Sequence, residues 1–285
     1  MICAVIDIGS NSVRLLIHDG VRVVEKKVIN TRLAEGMSDS CELTTEAMQR
    51  TVAALSFFCE RSKELLADKI FAFATAAVRK ASNRSAFLDL VKQNCCVSVE
   101  VVSGEMEAML GYVGALDGSD GGLIDVGGAS TEVTVIKNGQ TIFAKSVDVG
   151  AVTVKDSCGQ NEASVVDFVN NKTEEFGHVP SAEFCAIGGT ATSVAAMIQE
   201  LEEYSSAKVD GFVVEKASLI SLKNKLFAMS VEERKLLKGL QPQRAEIIAG
   251  GVSILLSVME KIGLDKITIS DRDNLEGYLK LKVGL

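Results

Sequence analysis

The sequence predicts a duplicated α/β protein in which one β-β-β-α-β unit occurs twice. Residues 121 to 134, Gly-Gly-Leu-Ile-Asp125-Val-Gly127-Gly128-Ala-Ser130-Thr131-Glu132-Val-Thr, repeat with variation the amino-terminal Ala4-Val-Ile-Asp7-Ile-Gly9-Ser10-Asn11-Ser12-Val-Arg-Leu-Leu-Ile. In each copy an apolar run ends in an aspartate, passes through a turn of small and polar residues, and resumes with the two-residue alternation of a strand. After each copy come a third strand, a helix and a further strand, in the same order.

The first copy resumes as Val13, Leu15 and Ile17, and the second as Val133, Val135 and Ile136. Strand, turn and strand exclude the commonest phosphate-loop look-alikes. A Rossmann or Walker loop opens a helix after its glycines, and neither of those glycine spacings occurs here. After the first hairpin a third strand lies near Val21 to Ile29. Thr44 to Ala67 is helical, with Met48, Val52, Leu55, Phe58, Leu65 and Leu66 at three- and four-residue intervals. Lys69 to Thr75 is a strand, and a polar turn leads to a helix over Arg84 to Asn94. The strand Val97 to Val102 and the helix Gly104 to Ala115 close the first half. Leu116 to Gly122, rich in Gly, Asp and Ser, reads as the linker.

In the second half the hairpin spans 123 to 136, the third strand Gln140 to Val147, a helix Ser164 to Glu175, a strand Ala182 to Ile187 and a helix Thr190 to Tyr204. Ser218 to Met229, Val231 to Leu237 and Gln243 to Ile262 also read as helices, Lys266 to Ser270 as a short buried strand, and Asn274 to Leu281 as a closing helix. At 285 residues the chain exceeds the usual single core. Two domains are expected, 1–117 and 118–285, with 274–285 able to rejoin the first.

Hydrophobic content of 47% supports two buried cores, and the lack of Trp with only two Pro suits a compact α/β chain. No apolar run is long enough for a membrane span and no signal peptide is legible, so a soluble cytoplasmic protein is expected. The net charge of −8 argues against nucleic-acid binding. It leaves room for an anionic ligand held by backbone amides, a few arginines and a cation. Cys3, Cys41, Cys59, Cys95, Cys96, Cys158 and Cys185 are an odd set without Cys-x-x-Cys spacing, which fits reduced thiols. With His18 and His178 the only histidines, catalysis must rest on carboxylates.

Tight hairpins of this kind turn backbone N–H groups and small hydroxyls into one concavity that can hold anionic oxygens. That reading covers Gly9, Ser10, Asn11 and Ser12, and Gly127, Gly128, Ser130 and Thr131. Asp7 and Asp125 at the strand ends can hold a divalent cation beside a phosphate. Two such turns in duplicated halves are expected to face one another across a cleft. Phe184 to Ile187, running through Gly188, Gly189 and Thr190 into a helix, is a third anion site, built on first-turn N–H groups with Thr190 able to cap. Ser103-Gly104-Glu105-Met106-Glu107 opens a helix; one glutamate complements the dipole, and the other can take a proton from an attacking water. Arg79 is the candidate side-chain clamp, because a guanidinium offers paired donors to phosphate. Cys95-Cys96 reads as core filling.

Taken in order, these segments resemble the exopolyphosphatase / guanosine pentaphosphate phosphohydrolase (Ppx/GppA) family of the actin-like ATPase superfamily, over nearly the whole chain. The carriers are Asp7-Ile-Gly-Ser-Asn-Ser12, Thr75-Ala-Ala-Val-Arg-Lys-Ala-Ser-Asn83, Ser103-Gly-Glu-Met-Glu-Ala108, Asp125-Val-Gly-Gly-Ala-Ser-Thr-Glu132, Val149-Gly-Ala-Val152, Gly188-Gly-Thr-Ala-Thr192, Arg244-Ala-Glu-Ile-Ile-Ala-Gly250 and Ser270-Asp-Arg-Asp-Asn-Leu-Glu-Gly277.

The resemblance implies two ribonuclease-H-like domains and Mg²⁺-dependent hydrolysis of the terminal phosphoanhydride of inorganic polyphosphate or guanosine pentaphosphate. It implies Glu107 as the catalytic glutamate, Asp125 and Glu132 as the acids tied to metal and activity, and Arg79 as a phosphate contact; Asp125, helped by Asp7 or Glu132, would position Mg²⁺. A homodimer is a family expectation. Ala129 stands in place of a family glycine and Leu275 where an arginine is common. The long members' carboxy-terminal domains are not present, which favours shorter polymers. Two alternatives remain at this level: a non-catalytic sensor of polyphosphate or guanosine penta- and tetraphosphate, and an actin-like sugar or acetate kinase.

Overall fold

The computed structural model describes residues 1–37, 41–95 and 97–284, so Cys96 lies outside the described residues. The chain divides into two compact units, Met1–Gly114 with Asn274–Leu285, and Ala115–Asp273.

The first unit carries a five-stranded sheet of β1 (Cys3–Ile8), β2 (Ser12–His18), β3 (Val23–Asn30), β4 (Lys69–Ala74) and β5 (Val99–Val101), in the order β3-β2-β1-β4-β5. β1 is antiparallel to β2 and parallel to β4, and β4 is parallel to β5. All six residues of β1 are buried, as a central strand covered on both faces requires. β3, at the edge, has no buried residue and carries Glu25, Lys26 and Lys27, charges that discourage a further strand from pairing there.

The helix Thr45–Glu64 starts where the Thr44 hydroxyl accepts the Ala47 N–H at 3.2 Å, and it buries Ala47, Val52, Leu55 and Phe58. Its last turn is tied to β3 by Arg61, whose Nε donates to Glu25 at 2.8 Å. In place of the expected polar turn after β4 there is a short helix, Ala76–Lys80, burying Ala76, Ala77 and Val78. Five residues are too few to show a helical period. The helices Arg84–Cys95 and Gly104–Leu116 come next, the second containing the boundary between the units.

The segment after Asp273 returns to the first unit as a short helix, Asn274–Tyr278, and a π turn, Leu279–Val283. Leu275, Tyr278 and Leu279 join a core with Cys3, Val5, Leu16 and Phe73. Tyr278 stacks on Phe73 with ring centroids 4.9 Å apart. Leu275, with no exposed surface, is a core residue here, which explains a leucine at that position.

The second unit has six strands in the order β10-β11-β9-β6-β7-β8, where β6 is Gly121–Val126, β7 Thr131–Lys137, β8 Gln140–Val147, β9 Phe184–Ile187, β10 Val213–Glu215 and β11 Lys266–Ile269. β6 pairs antiparallel with β7 and parallel with β9, and β9 pairs parallel with β11. Without β10 this is the order and direction of the first sheet, so the ribonuclease-H-like topology occurs twice. β6 begins at Gly121, inside the expected linker. Gly122 stays a glycine because a Cβ there would stand 2.3 Å from the Phe184 ring.

The helix Ala151–Cys158, which short-range periodicity did not reveal, comes after β8, and the helix Glu162–Thr173 continues from it. The expected helix from Thr190 to Tyr204 instead starts at Gly188, ends at Ile198, and is succeeded by a separate turn of helix, Ser206–Val209. The helix Ile248–Ile262, buried along most of its length, is preceded by a 3₁₀ turn, Pro242–Arg244. No helix among the described residues is long and apolar enough to cross a membrane. The six described cysteines are unbridged, and burial pushes the Cys185 thiol up to about 12.

Candidate functional site

The two hairpin loops are the same object built twice. Ile8 pairs with Val13 in one hairpin and Val126 with Thr131 in the other, leaving four residues to turn the chain in each. The Gly9 N–H donates to the Ser12 carbonyl and the Gly127 N–H to the Ser130 carbonyl, both at 3.0 Å.

Each loop is then held by the segment after the third strand. In the first unit the Asn11 carbonyl accepts the Thr31 and Arg32 N–H groups, and the Ser10 carbonyl accepts that of Ala34. In the second the Gly127 and Gly128 carbonyls accept first-turn N–H groups of the helix Ala151–Cys158, from Ala151 and Val152 at 2.9 and 2.8 Å. Gly150 permits this approach. A Cβ there would lie 2.3 to 2.5 Å from the backbone of Gly128 and Ala129. Ala129 fits without strain, since it is not among the described non-glycine residues at positive φ.

In the first unit Ser10, Asn11 and Ser12 are buried in the loop, and the Asn11 amide donates to Asn30 Oδ1 at 3.2 Å. Asp7 is buried opposite Arg14 on β2, and both Nε and Nη2 of that guanidinium donate to its Oδ2. Sequence reading passed over Arg14; its signal was the cross-strand register with Asp7. Arg79, from the helix Ala76–Lys80, donates through one nitrogen to the Glu107 carboxylate at 2.7 Å and to the Val102 carbonyl at 3.1 Å. The two glutamates of Ser103–Glu107 separate cleanly. Glu105 is exposed, and the Ser103 hydroxyl and its own backbone N–H hold its carboxyl below the usual range. Glu107 is 7% exposed, one turn into the helix and against Arg79.

In the second unit Asp125 and Glu132 are direct partners across β6 and β7, so both side chains leave the same face of the sheet. The Ser146 hydroxyl donates to Glu132 at 2.6 Å. Gly188, at φ +84°, turns β9 into the next helix beside Asp125; a Cβ there would stand 2.6 Å from Asp125 Oδ1. The Arg244 guanidinium lies on Gly189, 2.0 to 2.3 Å from where a Cβ would be, which places a cation on the first turn of that helix. The Arg244 segment was legible as a motif, but nothing in its spacing tied it to Gly189.

Two hydroxyls have other duties. Thr131, fully buried, donates to the Val149 carbonyl at 2.5 Å and so locks the loop to the segment leading into the helix Ala151–Cys158. Thr190 does not cap its helix, because Gly188 already starts it; its side chain packs against Gly251. Ser130 is buried in the loop, with its carbonyl closing the turn.

The acids fit a hard cation. Two carboxylates emerging side by side repel unless a proton or cation lies between them, and Mg²⁺ is commonly held by one or two carboxylates plus substrate oxygens. No group of three or more His, Cys, Asp or Glu able to hold a metal exists among the described residues. Asp7 is paired with the Arg14 guanidinium.

The chain matches the model of the Ppx/GppA phosphatase family over residues 12–283. It is 27% identical to exopolyphosphatase 2 of Mycobacterium tuberculosis, over 96% of this chain and 96% of that protein. It is 31% identical to guanosine-5'-triphosphate,3'-diphosphate pyrophosphatase of Photobacterium profundum, over 97% of this chain, which spans 58% of that protein. A solved structure of the Aquifex aeolicus Ppx/GppA family member superposes with a TM-score of 0.80 at 27% identity, covering 99% of this chain and 97% of that one. Doubled hairpin loops, their acids and these matches lead to one conclusion: the chain belongs to the Ppx/GppA phosphatase family.

Proposed function

We propose that this chain is a phosphohydrolase that releases the terminal phosphate of a phosphoanhydride chain, inorganic polyphosphate or guanosine pentaphosphate. The observation that carries the reading is the convergence, within the second unit, of a glycine loop, a helix start bearing Arg244, and the opposed acids Asp125 and Glu132. Anion donors and cation ligands side by side suit a polyphosphate more than any neutral substrate. The exopolyphosphatase relative is matched along nearly all of its length, which favours polyphosphate.

Glu107 acts as the general base. Arg79 fixes its carboxylate, which orients a water and takes its proton as the water attacks the terminal phosphorus. Backbone N–H groups of the loop at 127–130, the first turn from Gly188 and the Arg244 guanidinium hold the phosphate oxygens and the charge that grows on the leaving oxygen. Asp125 and Glu132 would hold Mg²⁺, which supplies neutralisation of phosphate charge when bound. Alignment and charge stabilisation provide most of the rate, with no covalent intermediate.

The test is phosphate release, with and without Mg²⁺, from short polyphosphate, long polyphosphate and guanosine pentaphosphate in parallel. Release that depends on Mg²⁺ is expected. Calorimetric binding with no release would overturn hydrolysis in favour of a sensor.

A further inference from the structure

Arg234 is 1% exposed, one of the largest fully buried side chains in the protein. Its Nε donates to the Leu226 carbonyl at 2.7 Å, and one terminal nitrogen donates to Gln160 Oε1 at 2.5 Å and to the Ala245 carbonyl at 3.3 Å. The Phe227 ring lies 6.0 Å away. None of these acceptors is a carboxylate, so the charge is buried on neutral oxygens. That is a costly arrangement for a group whose only task is to fill space.

What the guanidinium grips explains it. Ala245 comes directly after Arg244, and Gln160 donates to the carbonyl of Glu246 at 2.8 Å. Arg234 and Gln160 bond to each other and fasten successive carbonyls just after Arg244. Gln160 comes two residues after the helix Ala151–Cys158, whose first turn holds the carbonyls of Gly127 and Gly128. A path of hydrogen bonds, joined by the helix and the two residues that follow it, therefore runs from the glycine loop to the backbone that carries Arg244 onto Gly189.

We propose that Arg234 and Gln160 are positioning residues that fix Arg244 on the phosphate-binding helix start, in register with the loop at 127–130. This role rests on the reading of Arg244 as a phosphate contact. An arginine placed by its neighbours loses less freedom on binding than one that must find its geometry in each encounter. The buried charge of Arg234, left without a carboxylate, also adds positive potential where an acidic protein must hold an anion.

The probe is inorganic tripolyphosphate with Mg²⁺, its Kd measured by calorimetry on the Glu107→Gln chain so that turnover does not intrude. Gln160→Ala removes an exposed side chain, and folding is checked by an unchanged Tm. It is expected to weaken binding roughly 3- to 10-fold, the size of a coupling within one hydrogen-bond network. Arg244→Ala weakens it further, and adding Gln160→Ala to Arg244→Ala has no additional effect. Arg234→Lys, which keeps the charge and loses the fork, weakens binding and Arg234→Met weakens it more. If Arg234→Met does not fold, the Gln160 and Arg244 cycle still decides. An unchanged Kd in Gln160→Ala, or the same fold loss with and without Arg244, overturns the positioning role while leaving the phosphate site intact. No binding of tripolyphosphate by the unsubstituted chain overturns the functional reading as well.

Discussion

Asp125 and Glu132 stand opposite each other across β6 and β7 in the same register that sets Asp7 opposite Arg14 across β1 and β2. The duplication has kept the acid at the strand end and changed its partner, from a guanidinium to a second carboxylate. In the first unit the charge is settled internally. In the second we propose that the pair holds Mg²⁺. Replacing Glu132 with Gln is therefore expected to raise the Mg²⁺ concentration for half-maximal activity about 10-fold or more, with little change at saturating Mg²⁺. A metal titration of phosphate release checks this, and an unchanged midpoint removes Glu132 from the metal site.

Glu107→Gln keeps the shape of the side chain and loses its basicity. Turnover is expected to fall by roughly 10² to 10⁴, with the Kd for tripolyphosphate nearly unchanged. Paired rate and binding measurements separate the two. A substituted chain that hydrolyses at the original rate would exclude Glu107 as the base.

Two glycine-to-alanine changes should fail in different ways. At Gly189 the added methyl meets the flexible end of Arg244, which can move aside. The fold survives, Tm is nearly unchanged, and the KM for polyphosphate rises. At Gly277 the methyl would lie 1.8 Å from the Leu110 carbonyl, a backbone atom that cannot yield. There the expected loss is about 1–3 kcal/mol or more of stability, read from urea unfolding, as the segment at 274–283 lifts from the first unit. Equal effects of the two changes on Tm would refute this distinction.

Acid should loosen the contact between β3 and the helix Thr45–Glu64. The Arg61 guanidinium holds the Glu25 carboxyl below its ordinary range. The folded chain therefore binds a proton at Glu25 less readily than the unfolded chain does. The stabilisation is complete above the unfolded value of about 4.3 and fades as pH falls through the lower folded value. Because the pair is partly exposed, solvent screens it and its share of the total stability is small. Glu25→Gln should be slightly less stable than the original at neutral pH and converge with it in strong acid, in parallel thermal melts; a constant difference would refute the linkage.

Much of this was legible in the residues themselves. The two hairpins announced their turns because a buried strand, a glycine and an alternating strand leave a pattern independent of the rest of the fold. The loop glycines could be picked out from it, whereas Glu107 was separated from Glu105 only through the family resemblance. Other features depended on distant partners. Arg14 gained its meaning only from its register with Asp7, and Arg244 only from lying on Gly189. The helix Ala151–Cys158 has only eight residues to display a period, and its first turn is spent on the loop. Thr190 read as a cap because threonine favours that position, but the left-handed turn at Gly188 starts the helix earlier.

Leu275, Tyr278 and Leu279 complete a core whose other members, Cys3, Val5, Leu16 and Phe73, are synthesised far earlier. Between them the ribosome makes the whole of the second unit, Ala115–Asp273. That later stretch holds all its own strands as it emerges, while the half begun first must wait with an apolar face uncovered. Order of birth and order of completion are thus reversed: the amino-terminal half is begun first and finished last.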